Sequence, residues 1–216
     1  MTKITYIEEL KNLDFEIQKN EKQLFVLFPK KGTDETKQIN FNFTGENAYV
    51  YIIAFIISTD TDSFPIKINS NISHKNCTSR INIRTVLFNK SQIDLKANIF
   101  VDKNANGSEA RLSHKTLMMS EAAKTQTLPS LEIKCSDIKA SHSATIGKIN
   151  ESEVFYLQSR GINKKDAKII LIKGFMESQI SKIADKSLAE DIAQRIDEAL
   201  PCTSNNCYCI NKNCPC

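Results

Sequence analysis

The sequence predicts a mainly β body, then a small α-helical unit, then a cysteine-rich tail. Three observations carry that expectation. Apolar and polar residues alternate from about residue 13 to 140, the periodicity becomes helical at residue 150, and five of the seven cysteines crowd positions 202–216.

The β signal begins with Leu24-Phe25-Val26-Leu27-Phe28, a compact apolar run closed by Pro29 and Gly32. Ile39, Phe41 and Phe43 alternate with Asn40 and Asn42, and Gly45-Glu46-Asn47 punctuates before the next run. Further alternations follow at Ile66/Ile68, Ile81/Ile83, Ile93/Leu95/Ala97/Ile99/Val101 and Leu131/Ile133/Cys135. Successive side chains of a strand point to opposite faces, so period-2 runs bounded by Asn, Ser, Asp and Gly read as strands and turns. No helical periods separate them, which argues against a doubly wound α/β sheet. A sandwich, a barrel and a β-solenoid all stay open on periodicity, and no clean internal repeat selects among them.

The helical unit reads as three elements. Asn150 with Glu153 has the spacing of an N-cap and its acidic partner, Val154, Leu157 and Gln158 continue the helix, and Gly161 can end it. Asn163 caps a second helix carrying Ala167, Ile170, Leu171, Gly174 and Phe175 at i, i+3, i+4, i+7, i+8. Ser187 with Glu190 opens a third with Leu188, Ile192, Ile196 and Leu200, stopped by Pro201. Val154, Leu157, Ile170 and Phe175 are expected to fill the small core. The boundaries are therefore 1–149 for the β body, 150–200 for the helical domain and 201–216 for the tail.

Composition narrows the function. Basic residues number 29 against 25 acidic, a net charge of +4, too mild for the concentrated basic face that nucleic acid selects. The most apolar run, Ala48 to Ile57, is about half the roughly 20 residues a spanning helix needs. Acids at Glu8, Glu9, Asp14 and Glu16 disfavour a targeting segment, so a cytoplasmic, reducing setting without membrane contact is expected. There the tail, Cys202-x4-Cys207-x-Cys209-x4-Cys214-x-Cys216, reads as a soft-metal or sulfur-handling segment. Its spacing matches neither a ferredoxin run nor a zinc knuckle, so the metal is unassigned, and a plain or disulfide-linked tail remains open.

Residues Asp137 to Ile162, DIKASHSATIGKINESEVFYLQSRGI, together with Leu117 to Ile133, LMMSEAAKTQTLPSLEI, carry a family signature. The matching positions include Ser141, His142, Ala144, Thr145, Gly147, Phe155, Tyr156, Leu157, Ser159, Arg160, Gly161 and Ile162. This segment resembles the SufB/SufD family of iron–sulfur cluster assembly scaffold proteins, on the side of a short, SufD-like C-terminal half. The resemblance implies a right-handed parallel β-helix (β-solenoid) body with a C-terminal helical domain. It also implies a homodimer, or a heterodimer with another SufB/SufD-type subunit, formed through the β-helix. An ABC-type ATPase (SufC-like) would dock on the helical domain, and a transient iron–sulfur cluster would be built at the dimer interface.

His142 corresponds to the family histidine proposed as a cluster ligand, and Cys135, seven positions earlier, is the second candidate cluster ligand, its thiolate suited to iron or persulfide sulfur, against the plainer reading of a small buried hydrophobe. Departures are plain: Ala140 stands where many SufD-like chains have cysteine, and Ser143 where SufB-like chains have glutamate. Phe155, Tyr156 and Arg160 are the expected partner-binding residues. His74 and His114 belong to no constellation legible in the sequence. The chain has no GxxxxGK[ST] motif, so a non-catalytic scaffold is expected, with ATP hydrolysis supplied by the partner. Two rival functions stand beside this one: a metallochaperone using the tail, and a helix-turn-helix nucleic-acid binder over Glu151 to Gly174.

Overall fold

The computed structural model describes residues 2–201. Cys202, Cys207, Cys209, Cys214 and Cys216, on which the metal expectation for the tail rests, lie outside the described residues.

Among the described residues eleven strands come first: β1 (Lys3–Ile7), β2 (Leu13–Ile17), β3 (Lys22–Leu27), β4 (Lys37–Phe43), β5 (Tyr49–Ser58), β6 (Ser63–Ile72), β7 (Thr78–Leu87), β8 (Gln92–Val101), β9 (Ser108–Met118), β10 (Lys124–Ile133) and β11 (Ile138–Lys148). Three helices follow: α1 (Glu151–Ser159), α2 (Lys164–Ile180) and α3 (Lys186–Ala199). Odd-numbered strands form a six-stranded sheet in the order β1-β3-β5-β7-β9-β11, and even-numbered strands a five-stranded sheet in the order β10-β8-β6-β4-β2. Pairing is parallel in both sheets, so the chain coils as a β-solenoid that alternates between two walls. Strand β1 was not legible in the sequence, because KITYI exposes most of its residues and its apolar contrast is weak.

The repeat that the sequence conceals is geometric. Asn40, Asn69 and Asn98 stack on the outside of the five-stranded wall, Asn69 donating to Asn40 at 2.7 Å and Asn98 to Asn69 at 3.0 Å, each 29 residues on. At one corner Asn20, Asn47 and Asn76 all take positive φ (61°, 58° and 57°), and Gly107 follows at 75°. Their backbone N–H groups donate one turn onward, to Glu46, Lys75, Asn106 and Asp137. Only the left-handed conformation is repeated here, and Asn and Gly both tolerate it, so sequence identity is not needed to keep the coil.

Two cores result. The solenoid interior holds Phe25, Ile39, Phe41, Ile52, Ile66, Ile68, Ile81, Ile83, Ile93, Leu95, Ile99 and Leu112. A second core lies outside the six-stranded wall, where Leu24, Val26, Ile53, Phe55 and Val86 meet Ile169, Ile172, Met176, Ile180, Leu188, Ile192 and Ile196. Strands β3 and β5 are therefore covered on both faces, which is why they read as continuous apolar runs rather than as alternations.

The helical expectations need three corrections. Asn150 and Asn163 do cap α1 and α2, but Asn150 accepts from Ser152 N and makes no capping box with Glu153. The cap of α3 is Asp185, which accepts from Leu188 N, rather than Ser187. A carboxylate two residues earlier competes for the same free N–H groups and lengthens the helix. The buried stripe of α2 is Ala167, Ile169, Ile172, Met176 and Ile180, while Ile170 is 45% exposed. Ile169-Ile170-Leu171-Ile172 is apolar all round, so spacing alone does not say which stripe meets the wall. The α3 stripe Leu188, Ile192, Ile196 and Leu200 is buried as expected.

Candidate functional site

The solenoid ends at β10 and β11, and each is the terminal strand of its wall. His142 lies in the middle of β11, in register with Leu112 of β9, itself in register with Ile81 and then Ile52. That column lines the interior core, so His142 holds the interior phase of the last turn. Leu112 is buried and His142 is exposed, because among the described residues no further turn covers it. The same holds for Ile146, 49% exposed although its register partner Thr116 is buried.

Cys135 sits in the link between β10 and β11, half-buried against the interior core, with Sγ 4.0 Å from the Asp137 carbonyl. Four strand positions separate Ile138 from His142, roughly 13 Å along the strand, and Cys135 lies further back still. Cys135 and His142 therefore do not meet within one chain. Among the described residues no group of three or more His, Cys, Asp or Glu side chains is arranged to hold a metal ion. The exposed terminal strand offers one imidazole, and a complete ligand set needs donors from elsewhere.

The sequence reading passed over His114. It lies one turn inside, paired in register with Ala144 of β11, and is only 2% exposed. Nε2 contacts Thr85 Oγ1 at 2.9 Å and Thr116 Oγ1 at 3.1 Å, and Nδ1 is hydrogen-bonded to Thr127 Oγ1 of the opposite wall. Burial first, then the positive Arg84, pushes its pKa down to about 4, so the ring is neutral. Alternation could have found it: Leu112, His114 and Thr116 share one phase, and two polar residues on an inward phase mark a polar pocket.

The expected partner surface is exposed. Phe155 and Tyr156 of α1 are 72% and 58% accessible, and Arg160 lies over the Tyr156 ring at 5.4 Å. Tyr156, Leu157, Ile170 and Leu171 line a shallow groove of about 340 Å³ between α1 and α2, rimmed by Ser152 and Glu153. Val154 turns inward at 1% exposure and joins α1 to the rest. Lys164 and Lys168, at the start of α2, lie 3.6 and 3.7 Å from the Glu151 carboxylate. No helix among the described residues is long and apolar enough to cross a membrane.

Residues 9–175 match the model of the SUF system iron–sulfur cluster assembly SufBD core domain. The chain is 34% identical over 125 residues to the iron–sulfur cluster assembly protein SufD of Escherichia coli, covering 58% of this chain and 30% of that one. It is 24% identical over 174 residues to a SufBD family protein of Mycobacterium leprae, covering 77% and 44% respectively. A SufBD family protein of Archaeoglobus fulgidus is 37% identical over 91 residues, 42% of this chain and 24% of that one. The chain thus spans less than half the length of these relatives.

Proposed function

Because the chain belongs to the SufBD family of iron–sulfur cluster assembly proteins, we propose that it is a scaffold subunit on which a cluster is assembled at the open end of the solenoid. The observation that carries this reading is the position of His142, exposed on the terminal strand in the phase that elsewhere fills the core. Neutral imidazole ligates iron well, and the remaining donors would come from a second subunit, the same chain or another of the family, docked across that end. The cluster is cargo in this scheme, held and passed on.

The groove between α1 and α2 is the proposed seat of a SufC-like ATPase. Exposed Phe155 and Tyr156 supply the apolar anchor, and Arg160 is held over Tyr156 beside them. Large aromatics beside an arginine are the residue types that dominate binding energy at protein interfaces.

The test is anaerobic co-purification with a SufC-like ATPase, followed by iron and acid-labile sulfide analysis. The expected result is a stable complex carrying both, with His142→Ala keeping the ATPase and losing most of the iron and sulfide. Cys135→Ser, remote from His142, should lose less. Failure to form any complex would remove the scaffold reading.

A further inference from the structure

Beneath α2 the six-stranded wall carries a cation that the cluster chemistry does not use. Arg84 of β7 points away from the solenoid interior into the second core and is only 5% exposed. Its guanidinium lies 5.4 Å from the Phe175 ring centroid, and Nη1 donates to the Ile83 carbonyl at 3.2 Å. With the Gln179 amide oriented to satisfy both ends, its oxygen accepts from Arg84 Nη2 at 2.9 Å and also from Lys182 Nζ at 3.2 Å. Arg84 Nε has no hydrogen-bond partner at all.

Lys115 of β9 is the next residue in the same column, in register with Arg84. Two cations therefore share one neutral amide oxygen, and a third stands beside Arg84 in the same column. Among the described residues no carboxylate lies within ion-pair distance of Arg84, Lys115 or Lys182. Burial first, then the positive Arg84 and Lys115, lowers the pKa of the Lys182 ammonium. A buried guanidinium normally has a carboxylate or phosphate as partner, because neutral acceptors replace its lost hydration poorly.

We propose that Arg84, Lys115 and Lys182 form a binding site for a small inorganic oxyanion, of phosphate or sulfate type, at the edge of the α2–β7 interface. Lys115 and Lys182 are exposed and form the mouth, while Arg84 supplies the fixed charge behind them. Gln179, buried beside Tyr51 of β5, holds the guanidinium in place. Charge-assisted N–H bonds from two ammonium groups and a guanidinium match the several lone pairs of a tetrahedral oxyanion.

The experiment is a titration of the full reduced chain with inorganic phosphate at constant ionic strength, set by chloride, following the Arg84 Nε–H signal by nitrogen-15 NMR. The expected result is a saturable shift that sulfate competes away. Lys182→Gln and Lys115→Gln, both exposed and so tolerated by the fold, should each weaken the apparent affinity about tenfold. A response that is linear in phosphate, or that survives both substitutions unchanged, would overturn the proposal. Neither result depends on cluster assembly.

Discussion

At His114 the interior becomes polar, and this residue hydrogen-bonds to both walls of the solenoid. Its two ring nitrogens reach Thr85 and Thr116 on one wall and Thr127 on the other, so it anchors β10 beside the turn that carries His142. Folding lowers its pKa from 6.5 to about 4, so the unfolded chain binds the proton more tightly. The stability it contributes is complete above pH 6.5 and is lost as the pH falls from there towards 4. Over the full window this comes to about 3 kcal/mol, since one pKa unit corresponds to about 1.4 kcal/mol. Denaturant unfolding at pH 7 and pH 4.5 should therefore show a pH dependence that His114→Gln, which keeps hydrogen-bonding capacity, flattens by most of that amount. An unchanged slope in the variant would mean that the buried imidazole is not what senses acid. His142, by contrast, is exposed on the terminal strand, and its substitution should change cluster loading without changing stability.

Among the elements, α1 separates its two roles cleanly. Val154 is buried and fastens the helix, whereas Phe155 and Tyr156 are exposed and Tyr156 lines the groove shared with α2. Replacing both aromatics by alanine should leave stability within about 0.5 kcal/mol, because no buried contact is removed. The same double variant should weaken binding of a SufC-like ATPase by at least tenfold, as loss of interface anchors does. Calorimetric titration against the ATPase, with thermal melts as control, reads both. Equal affinity in the variant would move the docking surface elsewhere. The misassigned stripe of α2 belongs to this scale as well. Burial of Ile169 and Ile172 against the wall leaves Ile170 and Leu171 to shape the groove, so the same apolar run serves a core and a surface.

For the molecule as a whole, the uncovered turn is the dominant feature. Among the described residues two long terminal strands present unpaired backbone edges, and Leu128, Ile133 and Ile146 are exposed around them. Such edges normally find a partner or carry protection against one. Ile146→Glu places a charge in the interior phase of β11 and should convert the proposed dimer to monomer in sedimentation, while the melting temperature of the monomer barely changes. Persistence of the dimer would place the interface on another face. Deletion of everything after Pro201 separates the tail from the scaffold: ATPase binding and the His142-dependent iron should survive. If metal content disappeared altogether, the five tail cysteines would be the site of metal handling.

How far the chain could be read in advance follows from where each signal is written. Local alternation gave the strands because a strand declares its two faces residue by residue, and the caps at Asn150 and Asn163 were legible because a helix start is a local hydrogen-bond problem. Leu24 to Phe28 was legible as a compact apolar run, but its burial on both faces comes from the two cores that meet there. The motif around His142 and Tyr156 gave the family, and with it the solenoid that periodicity alone left level with a sandwich and a barrel. What only the tertiary structure decided is what meets what across a turn of the coil. The turn length varies, 29 residues along the asparagine ladder but 27, 29 and 31 between Asn20, Asn47, Asn76 and Gly107, so the ladder and the left-handed corner leave no readable repeat. The separation of Cys135 from His142, the partners of His114 and the convergence of Arg84 with Lys115 and Lys182 are distances between strands and helices far apart in the chain. The sequence determines each side chain's chemistry and its phase within one element; the coiling of successive turns then determines its neighbours.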